Sequence, residues 1–363
     1  MKVLMVDHFL PANAYTEELC RELAKHVSLS LMTSLFYQPK EVAWRCIRVF
    51  GNRNKTRRYY YSLFRLFLSA VFGGYDVIHL QDYKHDTMES FILKLARLTG
   101  KKLVCTAHNI LPHEHNQNAH DENVMRRWYR ACDAIIVHNE QTRQMLTTFE
   151  PACGNKIYVI AHGTYHACID NVPKKEKDKT VFLQLGLIRK YKGIDCLLNA
   201  ASLLPESVRK RIQIMIVGAQ NKEVDDTDYE GMIASNSLED FVEFRNVFVP
   251  DNEIPEFYGN ADCCLFPYRD IYGSGALLMA YTFGKPVIVS NVPSFIEETD
   301  NGKTGILFTA GDAKSLANAI QRFTELPPDR RQSMVNTIHS LCEKKYNWAV
   351  SAKRLAQVYS ALR

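Results

Sequence analysis

Little in this sequence marks a membrane-spanning, disulfide-stapled or metal-clustered protein. No apolar run reaches the roughly 18 residues that cross a bilayer. The chain opens directly on the strand-like MKVLMVDHF, with no charged leader before an apolar stretch. Its ten cysteines include no CxxC pair and no histidine partner at zinc-ligand spacing. Cys105, Cys132, Cys263 and Cys264 sit in apolar runs, as small buried thiols do. The net charge of +5 is too mild to indicate nucleic acid, and no solenoid-like repeat is present. These absences predict a soluble protein of a reducing, cytoplasmic compartment.

What is present is an alternation of short apolar strands with amphipathic helices. At 363 residues, 46% hydrophobic and 23% charged, the chain suits two α/β domains of roughly 150 residues each. Strands are predicted at 2–6, 29–33, 77–80, 103–106, 134–137 and 157–160, with helices at 16–26, 87–98 and 124–132 between them. Such alternation implies parallel sheets covered on both faces. Composition breaks at NVPKKEKDKT, residues 171–180, which reads as a linker. A second alternation follows, with strands at 181–186, 212–217, 263–266 and 286–290 and helices at 194–203, 275–283 and from 313. The predicted domains are therefore 1–170 and 181–345, followed by an amphipathic helix at 346–363.

Two segments have the form of anion sites. GLIRKYKG at 186–193 joins a strand to a helix, where free N–H groups and the positive helix end favour phosphate. Arg189 and Lys192 on that loop suit a diphosphate, the first as a fork and the second as a point charge. Gly273-Ser274-Gly275 precedes another helix and also aims backbone donors toward a strand-end crevice. In TAHNILPHE, His108, His113 and Glu114 resemble metal ligands, but Pro112 breaks any helical frame and the HExxH spacing is absent. His108 is read instead as a loop histidine at the mouth of the first sheet. Asp226-x-Asp228 sits in a polar run and reads as solvated loop. Residues 40–65 hold eight basic residues and one acid, and 53–72 pass from basic to aromatic and apolar. That segment is either a core helix with a charged start or an element facing anionic lipid.

In order, GLIRKYKGIDCLLNA, IQIMIVG, VFVPDNEIPEFYGNADCCLFPYRD, SGALLMAYTFGKPVIVSNVPSFIEE, NGKTGILFTAGDAKSLANAI and YNWAVSAKRLAQVY resemble the retaining GT-B glycosyltransferases of family 4. The resemblance implies two Rossmann-like domains facing across a cleft, with the active site between them and the C-terminal helix at 346–363 crossing back onto the first domain. It implies a UDP- or GDP-linked sugar donor held by the second domain and a lipid-linked or oligosaccharide acceptor on the first. By the same resemblance Arg189 and Lys192 hold the diphosphate and His108 lies over the reacting sugar. Gly186, Asp270, Ser274, Gly275, Ala276, Leu277 and Glu297 line the donor side, and Asn13 and Tyr15 shape the acceptor side. The resemblance also implies that no metal or cofactor is needed, and that no protein nucleophile is assigned because the leaving phosphate helps deprotonate the acceptor.

The sequence departs from that family in two places. The usual Glu-x7-Glu pair is replaced by Ile271 and Met279, with Asp270 one residue from the first position. The first loop, HFLPANAYT, lacks the usual glycine pair. These departures keep two alternatives in view: an inactive GT-B scaffold partner and a GT-B-fold sugar-nucleotide epimerase. The basic–aromatic segment adds the expectation of peripheral attachment to the inner face of a membrane.

Overall fold

The computed structural model describes residues 1–8, 10, 14–39, 42–51, 57–81, 87–110, 119–165 and 178–362. They form two compact units, Met1–Gly163 with Lys345–Arg363, and Thr164–Lys344. The linker expected at 171–180 lies mostly outside the described residues.

The first unit is a seven-stranded parallel sheet built from β1 (Lys2–Asp7), β2 (Ser28–Ser34), β3 (Arg45–Phe50), β4 (Val77–Gln81), β5 (Lys102–Thr106), β6 (Ala134–Val137) and β7 (Ile157–Val159). Its strand order is β3-β2-β1-β4-β5-β6-β7. The central strands are buried along almost their whole length, as helices on both faces require. The second unit is a six-stranded sheet of β8 (Thr180–Leu185), β9 (Ile212–Val217), β10 (Val242–Arg245), β11 (Cys263–Phe266), β12 (Val287–Ser290) and β13 (Gly305–Phe308), in the order β10-β9-β8-β11-β12-β13. Both units are Rossmann-like. Their strand order reverses between β1 and β4 and between β8 and β11, and the crevices outside those strand ends are where such sheets bind ligands.

Three strands lie outside those predicted from sequence: β3, β10 and β13. All three are sheet edges. An edge strand is covered on fewer sides, so β3 (RCIRVF) and β10 (VEFR) carry charges that break the apolar pattern.

The terminal helix Trp348–Ala361 belongs to the first unit, as expected. Asn347 caps it, its Oδ1 accepting from the amide of Ala349 at 2.8 Å. Trp348, Ala352, Leu355 and Tyr359 recur at helical spacing and are at most 2% exposed, packed with Val3, Met5, Tyr15 and Leu19. Burying each large side chain contributes about 1.5–3 kcal/mol. Ser351 adds a bond from its Oγ to the carbonyl of Ala161 at 2.7 Å. Gly163 admits the indole: a Cβ there would stand 2.5 Å from the Trp348 ring. No helix among the described residues is long and apolar enough to cross a membrane.

Candidate functional site

In the second unit the sequence folds the Gly186 loop tightly around one lysine. The chain leaves β8 at Gly186 with φ +125°, and a Cβ there would meet Lys192 Nζ at 3.2 Å. It ends the short turn Lys190–Lys192 at Gly193, φ +68°, where a Cβ would lie 2.0 Å from the carbonyl oxygen of Pro267. Glycine is required at Gly193 by both conformation and space. Arg269, on the exit loop of β11, holds this turn in place. Its Nη1 donates to Lys190 O at 2.6 Å and its amide to Tyr191 O at 2.7 Å. Its guanidinium also pairs with Asp195 in the first turn of the helix Ile194–Ser202.

Lys192 is 7% exposed, and burial first, then Arg189, lowers its ammonium to about 8. Its Nζ stands 5.6 Å from the centre of the Tyr268 ring. Arg189 Nη1 donates to its neighbour's carbonyl, Ile188 O, at 3.2 Å. Among the described residues neither cation has an ion pair. Two neighbouring cations, one of them buried, thus repel each other without an acid between them. A bound anion would relieve that repulsion.

The second junction is partly self-satisfied. Ser274 caps the helix Gly275–Thr282, its Oγ accepting from the amide of Leu277 at 3.1 Å. Leu277 is fully buried with its N–H already used, so the terminus offers the amides of Gly275 and Ala276 instead. A side chain at Gly275 would collide with Tyr165 Oη, 2.8 Å from the Cβ position. Asp270 is exposed on the preceding loop. Ile271 faces inward at 8% exposure, and its carbonyl accepts from Ser294 Oγ at 2.9 Å. The helix Pro293–Glu298 that carries Ser294 also carries Glu297, which is half-buried. Asp226 pairs with Lys190 at 2.7 Å, and Asp228 caps the helix Tyr229–Ser235. No metal-holding cluster occurs among the described residues.

In the first unit four histidines gather along β4–β7. His79 lies on β4, and His108, His138 and His162 follow β5, β6 and β7. His108 Nε2 is 3.3 Å from Gln81 Oε1, and its Nδ1 is 3.2 Å from His138 Nε2. Burial, then His138, His162 and His79, push His108 well below the usual imidazole range. Tyr15 corrects an expectation. At 2% exposure it cannot reach an acceptor; its ring sits edge-on to His108, His162 and Trp348 at 4.7–5.1 Å and supports the histidines from within. Asn13, His113 and Glu114 lie outside the described residues. Sequence reasoning missed Arg269, Tyr268 and His138. Only adjacency of β8 with β11 and of β5 with β6 brings them to the sites.

A model of Glycosyltransferase Family 4 matches residues 12–166, and a model of Glycosyl transferases group 1 matches 168–339. The chain belongs to the group 1 glycosyltransferases. The chain is 25% identical over 241 residues to the capsular polysaccharide biosynthesis glycosyltransferase CapM of Staphylococcus aureus, covering 62% of this chain and 61% of CapM. It is 24% identical over 232 residues to a GDP-mannose:glycolipid 4-beta-D-mannosyltransferase of Xanthomonas campestris pv. campestris, covering 60% and 62%. The matches therefore span about three-fifths of these relatives. The Anabaena protein HepE, solved with UDP and glucose, superposes with a TM-score of 0.75 at 17% identity, covering 99% of this chain and 100% of HepE. At that identity the likeness establishes the fold, GT-B, and nothing finer.

Proposed function

We propose that this glycosyltransferase moves a hexosyl group, with retention, from a nucleoside-diphosphate sugar to a lipid-linked or oligosaccharide acceptor during cell-surface glycan assembly. The observation that carries the reading is Lys192: a buried ammonium beside Arg189, without a counter-ion among the described residues, at the carboxyl end of β8. A departing diphosphate supplies the missing charge, and stabilising it is the main electrostatic work of the transfer. Gly186 leaves room for Lys192, and the Gly275 and Ala276 amides add donors. Asp270 and Glu297 are assigned to the donor's sugar or ribose hydroxyls, and His108 to the transferred sugar. The names of CapM and the Xanthomonas mannosyltransferase support polysaccharide or glycolipid synthesis. The HepE complex supports a UDP donor, whereas the mannosyltransferase supports a GDP donor.

The test is thermal shift and donor hydrolysis against UDP-, GDP- and dTDP-sugars without metal, comparing wild type with Arg189→Ala. Stabilisation by one nucleotide, with turnover lost in the variant, is the expected result. A folded protein that binds none of them would favour the scaffold alternative, which rests on Ile271 and Met279 in place of the acidic pair.

The membrane part of the reading rests on the helices Arg57–Phe72 and Thr87–Leu98, which pack together. The first buries Leu63 and Leu66, satisfying the core-helix reading, yet Tyr60, Tyr61, Phe64, Leu68 and Phe72 stay exposed on it. Met88, Phe91 and Leu98 are exposed on the second, so two helices hold eight of the thirteen exposed large hydrophobics among the described residues. The first helix carries Arg57, Arg58 and Arg65 and no acid. Aromatic side chains with cations and no acid suit an anionic bilayer surface. Phe64→Ser with Phe91→Ser is expected to weaken co-sedimentation with phosphatidylglycerol vesicles at least ~10-fold. Equal sedimentation of variant and wild type would remove the membrane from the reading.

A further inference from the structure

The histidines of the first unit include one that no transfer chemistry has yet used. His138 Nδ1 lies 3.0 Å from Ile160 O, and its Nε2 lies 3.2 Å from His108 Nδ1. A carbonyl oxygen can only accept, so a neutral His138 carries its proton on Nδ1 and presents a lone pair at Nε2. That lone pair requires the proton of His108 to sit on Nδ1. His108 Nε2 is then an acceptor. As placed, Gln81 presents Oε1 to it at 3.3 Å and its NH2 to Met5 Sδ at 3.1 Å; exchanging the O and N of the amide, which have the same shape, gives His108 Nε2 a donor at the loss of one weak N–H···S contact.

Burial holds both rings in the neutral form at physiological pH. Desolvation lowers His138, and desolvation followed by its histidine neighbours lowers His108. The Tyr15 ring, 4.7 Å from His108 and 5.2 Å from His138, keeps both imidazoles in place.

We propose that His138 is a positioning residue that commits His108 to the Nδ1–H tautomer, so that Nε2 accepts a hydrogen bond from a hydroxyl of the transferred sugar. The 3.3 Å approach of Gln81 is at the long end for a hydrogen bond. A sugar hydroxyl at about 2.8 Å therefore takes the lone pair in preference. The role of Nε2 rests on His108 facing the transferred sugar; the tautomer itself does not.

The test combines long-range 1H–15N correlation on protein labelled with 15N-histidine and steady-state kinetics of two variants. In the wild type both His108 and His138 are expected to show a protonated Nδ1 and a bare Nε2. His138→Gln retains an amide oxygen for His108 Nδ1. It is expected to preserve the His108 tautomer and keep kcat/KM within about threefold. His138→Leu removes the acceptor and is expected to mix the His108 tautomers. The accompanying fall in kcat/KM is about 10- to 100-fold, the range seen when the partner orienting a functional histidine is lost. A protonated Nε2 on wild-type His108 overturns the proposal whatever the kinetics. So does an equal loss in both variants with the His108 tautomer unchanged, which would leave His138 a packing role. The spectra are recorded on free protein. Expected spectra without turnover on any sugar nucleotide would therefore locate the failure in the proposed activity rather than in the tautomer.

Discussion

Lys192→Met is expected to lower kcat/KM for sugar transfer at least ~100-fold while leaving the melting temperature unchanged or higher. The first half follows from losing a preorganised cation where charge develops on the leaving diphosphate. The second follows from burial: Lys192 is 7% exposed, without an ion pair among the described residues, and a thioether of similar length carries no desolvation penalty. Activity and stability thus move apart, as they do when a site stores an unfavourable charge for use. A variant that lost activity only in proportion to lost fold would remove Lys192 from the donor site.

The same residue sets a pH dependence. Free Lys192 titrates at about 8, lowered from 10.5 by burial and by Arg189. On the proposed role, donor binding needs the ammonium, so affinity should hold below about pH 8 and fall about tenfold per unit above it. The unliganded fold responds in the opposite direction. Between about 8 and 10.5 the unfolded chain binds the proton that the folded one has lost, so stability rises with pH across that window. Lys192→Arg, whose guanidinium does not titrate there, should flatten the affinity profile. Donor titrations by calorimetry from pH 7 to 10 decide it; an unchanged wild-type Kd across that range would sink the assignment.

Lowering the pH from 7 to 5 is expected to destabilise the first unit steeply. His79 is fully buried, and desolvation lowers it from 6.5 to about 3. Between those values the unfolded chain takes up a proton that the folded chain refuses, so stability is lost as pH falls below 6.5. Each such ring contributes about 1.4 kcal/mol per pH unit. His162 is lowered to about 3 by burial and by His138, and adds to the slope, discounted for its partial exposure. Trp44, Trp128 and Trp348 all lie in the first unit, so tryptophan emission reports its unfolding alone. Urea midpoints followed by emission should drop between pH 7 and pH 5, and His79→Gln should remove about one proton from that dependence. A wild-type midpoint that stays level would show that the histidines titrate as freely in the fold as in the unfolded chain.

Much of the second unit's site could be read from the chain because it is local. Gly186, Arg189, Lys192 and Gly193 lie within eight residues of one another, between a buried strand and a helix, and the turn's geometry follows from its own glycines. Ser274 as a helix start is equally local, although its hydroxyl caps the helix and consumes the Leu277 amide. The side on which Tyr15 faces was not readable. An aromatic at a helix start is compatible with either a ligand or a core, and the terminal helix decides by laying Trp348 against it.

By itself, then, the sequence determined two parallel α/β halves, two strand–helix junctions and a pair of cations on one of them. All of these rest on apolar periodicity, glycine and charge within a few residues. Only the tertiary structure decided that Arg269 locks the lysine turn, that Ile271 faces inward and that four histidines share one polar interior. The bond between His79 and Tyr359 joins residues 280 positions apart. Such partners meet because the order of strands in a parallel sheet sets which strand ends are neighbours, and that order is a property of the packed sheet rather than of any segment within it.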